Sequence, residues 1–297
     1  MTATATEIFE ENRKLLFSVA YRMLGSVADA EDAVQDSWLR WSNADVDSVA
    51  HPKAYLVRVV VNTALDKLNS AQRRRESYVG PWLPEPIQTG PDAAEQAETA
   101  ESVSLAMLVI LESLSPDERA VFVLREVFGF PHADIAAALG RTQESVRQLA
   151  HRARSHVQAR RPRFPADRDT QRQVTETFMT AVQDGDVARL MNVLAPDVAL
   201  WTDGGGKVRA ALNVIHGADK AARFLAAIIR DPWQGVRPED IAYRECDVNG
   251  VPGVAAWHTG GLLGLISVDV ADDRINAVHI VVNPDKLQAW KEGRRLE

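Results

Sequence analysis

The sequence predicts a multidomain protein in which two all-α domains precede an α+β domain. Three observations carry that prediction. Apolar residues recur at three- and four-residue steps over 6–77 and over 102–162, the spacing of amphipathic helices. A proline-rich acidic linker at 78–101 separates these stretches, and Pro162 and Pro165 mark a second boundary. Over 168–292, helical segments give way to a run of strand-like segments, the order expected of an α+β domain.

The elements follow in order. Leu16, Val19, Ala20 and Met23 share a face of one helix, and Ala30, Val34, Trp38 and Trp41 share a face of the next. His51-Pro52 opens a third helix, with proline in the first turn where its missing N–H costs nothing. In the linker, Pro81, Pro84, Pro86 and Pro91 forbid a helix. Trp82 and Leu83 are apolar within it and suggest docking onto another surface, with simple exposure as the alternative. Ser115-Pro116-Asp117-Glu118 is a capped helix start, and that helix is expected to stop near Gly129. A short helix from Pro131 to Leu139, a turn at Gly140 and a second helix capped by Thr142 come next. Further helices are expected at 170–194 and 217–230. The tail reads as strands, "IAYREC", "GVAAWHTG", "LISVDV" and "INAVHIVV", with a hairpin at Asp272-Asp273-Arg274.

Composition narrows the class. The 297 residues are 46% hydrophobic and 25% charged, ordinary for a globular protein of two or three domains. Met1 to Lys14 lacks the apolar core of a signal peptide, and the apolar run Leu105 to Leu111 falls far short of the ~20 residues of a membrane span. A cytoplasmic location without a membrane partner is expected. Cys246 is the single cysteine, so neither an internal disulfide nor a cysteine metal cluster is expected. The net charge of −7 hides alternating blocks. Arg141 to Arg163 carries seven arginines and only Glu144, whereas Glu76 to Glu101 carries six acids and no base. Such a chain can offer one face to a protein and another to DNA.

The paired helices at 131–158 form a helix-turn-helix pattern. In the second helix Val146, Leu149, Ala153 and Val157 share the apolar face. Glu144, Gln148, His151, Arg152 and Ser155 lie opposite, with Arg141, Thr142, Ser145 and Arg147 at the amino-terminal end. Arginine and glutamine read base edges in paired hydrogen bonds, and arginine also holds phosphate. A solvated bundle helix is the plain alternative, and the turn and charge ratio favour DNA.

Two longer stretches are specific. "LLFSVAYRMLGSVADAEDAVQDSWLRWSN" followed by "HPKAYLVRVVVNTALDKLNSAQRRR" resembles region 2 of the extracytoplasmic-function (ECF) sigma factors of bacterial RNA polymerase. "LSPDERAVFVLREVFGFPHADIAAALGRTQESVRQLAHRAR" is similar to their region 4. "PWLPEP", "DGGGK" and "NPDKL" resemble the signatures of the subgroup with a fused SnoaL-like, NTF2-fold carboxy-terminal domain.

The resemblance implies a region 2 helical bundle, a region 4 helix-turn-helix and a cone-shaped α+β domain. It also implies roles. Asp29, Asp32, Gln35, Asp36 and Trp38 would bind the β′ clamp helices of core RNA polymerase, and region 4 would meet the β flap. Lys53, Arg58, Asn62, Asp66, Lys67, Arg73, Arg74 and Arg75 would capture the opened −10 strand. Tyr55 would stack on a base or sit in the core. Arg141, Thr142, Glu144, Ser145, Arg147, Gln148, His151 and Arg152 would recognise the −35 element. Trp82, Leu83, Pro84, Glu85 and Pro86 of the linker, with Asp203, Gly204, Gly205, Gly206, Lys207, Asn283, Pro284, Asp285, Lys286 and Leu287, are expected to form a regulatory interdomain contact. In it the last domain docks on the linker and region 2, with "DGGGK" touching one or the other.

That contact would let the last domain modulate the sigma core in cis, with no separate anti-sigma protein. A small ligand in the cone is a further expectation; no cofactor, metal or catalytic residue is expected. His216, His258, His279, Asp203 and Asp269 are the acid–base candidates if the domain is instead an enzyme. A ligand-sensing regulator that works without polymerase is the other rival. "DGGGK" fails as a phosphate loop because Val208 follows the lysine and no glycine precedes Gly206 by five.

Overall fold

The structure, a computed structural model, describes residues 4–45, 48–75, 77–89, 104–160, 166–291 and 295–296, without the side chains at 71–75, 289, 295 and 296. Contacts divide the chain into two units, one of residues 1–77 and 110–161, the other of residues 78–109 and 162–297.

The first unit is helical. Helices α1 (Ala5–Leu24), α2 (Val27–Ser42) and α3 (Pro52–Arg75) pack on one another. Thr4 and Glu7 cap α1 reciprocally. The fully buried Trp41 donates its indole N–H to the Ala5 carbonyl at 2.7 Å, joining α2 to the start of α1. Helix α4 (Leu105–Glu112) straddles the division between the units. Ser115 and Glu118 cap α5 (Pro116–Phe122), whose continuation over Val123–Val127 widens to π spacing. The expected helix through Val127 is therefore present but changes its winding. Helices α6 (His132–Leu139) and α7 (Gln143–Gln158) form the helix-turn-helix, with Gly140 left-handed between them and Thr142 capping α7.

Two buried arginines lie where α1 meets α5. Arg119 of α5 donates to the Arg22 carbonyl at 3.0 Å and pairs with Glu112. The Arg22 guanidinium lies over the Phe128 ring. A charge enters an interior only when paired or hydrogen-bonded, so these contacts specify how α1 and α5 meet.

The second unit is built on an eight-stranded sheet. Helices α8 (Arg168–Asp184), α9 (Val187–Val193) and α10 (Ala218–Ile228) accompany strands β1 (Gln88–Thr89), β2 (Leu194–Asp203), β3 (Ile215–His216), β4 (Ala242–Val248), β5 (Val251–His258), β6 (Gly261–Ala271), β7 (Arg274–Val281) and β8 (Arg295–Leu296). Their order is β3-β2-β7-β6-β5-β4-β1-β8, with β2 parallel to β7. The β6–β7 hairpin turns at Asp272 and Asp273, both with positive φ, as the two-residue loop requires. Strand β1 comes from the linker: Gln88 pairs with Val248 on the edge of β4. The sequence reading has no strand there.

Both faces of the sheet are covered. On the inner face Leu200, Val254, Val268, Val278 and Ile280 meet Phe178, Leu190 and Leu225 from the helices. On the outer face Ala255, Leu265 and Val281 meet Leu83 of the linker, Leu105 of α4 and Trp290 of α11 (Gln288–Lys291). Period-2 alternation fades in such strands, and β6 is buried at most of its positions. Leu105 and the half-buried Val109 also explain why contacts draw the beginning of α4 into this unit rather than the helical one.

His279 is buried on β7, and burial pushes its imidazole down to about 4. The unfolded chain, at about 6.5, binds the proton that the fold refuses. The neutral ring's contribution is complete above pH 6.5 and is lost as pH falls toward 4, to a total of about 3 kcal/mol. A His279→Gln variant should lose less stability than the parent between pH 7 and 4.5 in urea unfolding. Parallel losses would exclude His279 as the source.

Candidate functional site

The strongest constellation lies in the second unit, where the linker is seated on the ends of β2 and β7. Strand alternation puts Thr202 on the inner face and Asp203 on the outer one. The Asp203 carboxylate is fully buried. It accepts from the Tyr78 hydroxyl at 2.6 Å, the Leu83 backbone N–H at 2.8 Å and the Lys286 ammonium at 2.6 Å. Lys286 also donates to the Leu83 carbonyl and lies over the rings of Trp82 and Tyr78, 4.1 and 5.0 Å from their centres. Burial first, then the hydrogen bond to Asp203 and its charge, push the Tyr78 hydroxyl above its ordinary value, so it stays a donor. Asn283 donates to the same hydroxyl at 2.9 Å.

The glycines of "DGGGK" make the approach possible. Gly205 has φ +59, and a Cβ there would sit 2.3 Å from the Asn283 amide nitrogen. Gly206 has φ +70 and presses on the linker's Val79, which a Cβ would meet at 3.2 Å. Only glycine supplies that conformation and that closeness together. Lys207 turns outward and pairs with Asp285 at 2.5 Å. Pro284 is half-buried and Leu287 buried in the outer-face cluster.

Linker residues 83–87 are buried throughout. The Ile87 N–H donates to Asn249, whose own N–H returns a bond to the Ile87 carbonyl. The Thr89 hydroxyl accepts from the Gly250 N–H. The segment after Thr89 lies outside the described residues until Ser104. Sequence reasoning missed Tyr78, Ile87 and Asn249; the proline pattern draws attention to 81–86, and nothing local marks a partner 125 residues away.

The other predicted residues belong to the first unit. Asp32, Gln35 and Asp36 are exposed on α2 beside Leu39, an apolar residue that the sequence reading omitted and that is 53% exposed. Asp29 is half-buried near the Ser26 cap. Trp38 packs edge-on against Phe9 at 5.0 Å. On α3, Lys53, Arg58 and Asp66 are exposed. Asn62 donates to the Ala138 carbonyl of α6 at 3.3 Å, and Lys67 pairs with Asp32 at 3.5 Å. Tyr55 packs on Trp41 and carries the Arg58 guanidinium over its ring. Its ring is thus engaged within the bundle. The side chains of Arg73, Arg74 and Arg75 lie outside the described residues.

On α7, Glu144, Arg147, Gln148, His151 and Arg152 point to solvent, while Val146, Leu149, Ala153 and Val157 are buried. Thr142 and Ser145 are taken up by the cap. Arg141 pairs with Asp117, Arg152 with Glu118 at 3.1 Å, and Arg147 with Glu144 at 3.7 Å. Exposed pairs of this kind are worth little.

The acid–base candidates do not converge. His216 is exposed on β3, the His258 ring accepts the Gly260 N–H, and His279 is buried on the outer face. None of them, nor Asp203 or Asp269, lines the cavity of about 360 Å³ enclosed by the sheet and α10. Burial, with Asp247 and Glu245 nearby, pushes the Cys246 thiol up to about 12, which removes it as a nucleophile. Among the described residues no group of histidine, cysteine and acidic side chains has metal-binding geometry. No described helix is long and apolar enough to cross a membrane.

Comparison with known proteins bears on this arrangement. The Sigma-70 region 2 family model matches residues 8–74, and the Sigma-70 region 4 model matches residues 104–157. The chain is 39% identical over 293 residues to the ECF RNA polymerase sigma factor SigJ of Mycobacterium tuberculosis, covering 94% of this chain and 92% of that protein. It is 32% identical over 280 residues to the probable ECF RNA polymerase sigma factor SigI of the same organism, covering 93% and 92%. The crystal structure of SigJ superposes with a TM-score of 0.76 at 36% identity, covering 94% of this chain and 97% of that one.

The buried pair gives a stability prediction. Replacing Lys286 with methionine leaves the Asp203 carboxylate buried without its cation, at a cost of about 3–5 kcal/mol. Thermal unfolding should report that loss, and hydrogen exchange should quicken at the Leu83 amide. Unchanged exchange there would mean that the pair does not hold the linker.

Proposed function

The chain belongs to the ECF RNA polymerase sigma factors, and from that premise we propose that its carboxy-terminal domain modulates the sigma core in cis through the linker. It is an alternative sigma factor that directs transcription initiation. Members of this family bind core RNA polymerase and promoter DNA.

In this reading the exposed acidic strip of α2, with Leu39 as its apolar anchor, meets the β′ clamp helices, and region 4 meets the β flap. The basic side of α3 captures the −10 strand, and α7 enters the major groove at −35. The arginines of α7 leave their weak carboxylate pairs for phosphate or base edges. Region 2, the linker, region 4 and the last domain fall at 6–77, 78–101, 102–162 and 168–292. The last domain acts as a regulator rather than an enzyme, because its candidate acids and bases face different ways.

One observation carries the proposal: the buried Asp203 carboxylate grips Tyr78 and Leu83 of the linker and is neutralised by Lys286. The chain leaves this seat at Ser77 toward region 2 and at Ile110 toward the rest of region 4. Holding the intervening segment restricts how far those regions separate to span a promoter, the part an anti-sigma protein would play. The restraint acts at high effective concentration because it is intramolecular.

In vitro transcription with core RNA polymerase tests both levels. The full chain should support initiation at its promoter. A paired Asp203→Ala and Lys286→Ala variant should raise output about fivefold or more at equal concentration, the scale of a typical coupling energy. Equal or lower output, with region 2 and region 4 still folded, would remove the regulatory role. Arg147→Ala should weaken −35 binding by roughly 1–3 kcal/mol if it reads a base, or reduce the salt slope if it holds phosphate. Neither change would take Arg147 out of the DNA face.

A further inference from the structure

We infer that the inner cavity of the carboxy-terminal domain is an effector site for an uncharged, largely apolar small molecule, and that its occupancy tightens the seat of the linker. The inference deepens the regulatory reading above and rests on it for its biological meaning.

The lining fixes the ligand class. The cavity holds about 360 Å³, within the roughly 300–1,000 Å³ of small-molecule sites. Its walls are apolar and partly aromatic, with Phe224, Ile228, Trp233, Ile266, Ile280 and Val282 among them. Formal charge enters the lining only at Arg209 and Asp231, both exposed and opposite in sign, so the rim selects neither anion nor cation. Tyr243 is the lining residue whose polar group is left to a ligand. It makes no hydrogen bond to the described residues, whereas the Thr202 hydroxyl is already engaged by the Ala211 backbone. One hydrogen-bond acceptor on an otherwise apolar skeleton fits that inventory. Water fits it poorly, since a buried water needs several polar partners.

A strap closes part of the opening. Gln234 and Gly235 take positive φ between the bridged residues Trp233 and Val236. That turn lays the Trp233 ring against Gly264, where a Cβ would meet it at 3.0 Å. The Gln234 side chain donates to the Leu263 carbonyl at 3.4 Å and ties the strap to β6.

The link to the linker is short. Thr202 lines the cavity, and its neighbour Asp203 on the opposite face holds the linker. Val282 also lines the cavity and donates its N–H to the Asp203 carbonyl at 2.9 Å; the Asn283 N–H donates to the same oxygen. Ala211, bound to Thr202 by its N–H at 2.8 Å, forms another part of the wall. Its carbonyl lies where a Cβ on the linker's Gly80 would touch it at 3.4 Å. Filling the cavity restrains these two strand ends and the 209–211 segment. The linker then docks on a platform that is already ordered, which is positive coupling without a large displacement.

The experiment uses the full chain and N-phenyl-1-naphthylamine, an uncharged apolar fluorophore, as the probe. Titration should give a saturable one-to-one rise in fluorescence. Two variants should bind about tenfold more weakly or worse. Ala256→Leu fills the cavity from β5, and Trp233→Ala opens the strap without entering the sheet. Bound probe should slow hydrogen exchange at the Leu83 amide about fivefold or more and leave the Leu149 amide of α7 unchanged. Non-saturable binding, or binding that both variants retain, would overturn the site. Saturable binding with unaltered Leu83 exchange would overturn the coupling. If the probe behaves as expected while the Asp203 and Lys286 variants leave transcription unaltered, the cavity inference stands and the regulatory reading fails.

Discussion

The second unit is organised around one buried carboxylate. Asp203 has no exposure to solvent, yet it is surrounded by donors: a phenol, a backbone amide and an ammonium. Removing a charge from water is expensive, and the expense is offset only when the geometry is complete. That requirement explains features that otherwise look unrelated. Gly205 and Gly206 let backbone and linker come close, Asn283 orients the phenol, and two aromatic rings face the lysine. A linker that was merely sticky would tolerate partial loss of these contacts, whereas a charge-centred seat is closer to all or none.

The helical unit uses the same device differently. Arg119 and Arg22 place cationic groups where α1 meets α5, joining segments on either side of the linker. An apolar interface permits helices to slide; a guanidinium aimed at one carbonyl does not. Asn62 adds a bond from α3 to α6, so a residue proposed to meet the −10 strand is already engaged by the helix-turn-helix. Binding an opened promoter strand at Asn62 would have to exchange that bond for one to a base.

Much of this was legible in the sequence where the determining signal is local. Gly140 and Thr142 punctuate the helix-turn-helix, and helical period alone separates Val146, Leu149 and Ala153 from Arg147, Gln148 and Arg152. Asp272-Asp273 announces its hairpin. Trp82 and Leu83 advertise an apolar need within the linker. What local pattern cannot supply is the partner. Tyr78 and Asp203 stand 125 residues apart, and each looks like an ordinary surface residue alone. The strand at Gln88–Thr89 is too short to show periodicity. Burial of the sheet on both faces erases the alternation that would have sorted inner from outer residues, so the cavity wall and the linker seat could not be told apart. Nothing local marks Arg22 and Arg119 as buried, since arginine is mostly exposed.

The pairing of Gln88 with the edge of β4, and of Leu83 with Lys286, also has a consequence in time. The chain emerges from the ribosome in order, and Lys286 follows Leu83 by 203 residues. At about 5–20 residues per second, roughly 10–40 s separate synthesis of the linker from synthesis of the residue that clasps it. Regions 2 and 4 are complete well before then. Each newly made molecule therefore passes through an interval in which its linker exists without the lysine that clasps it.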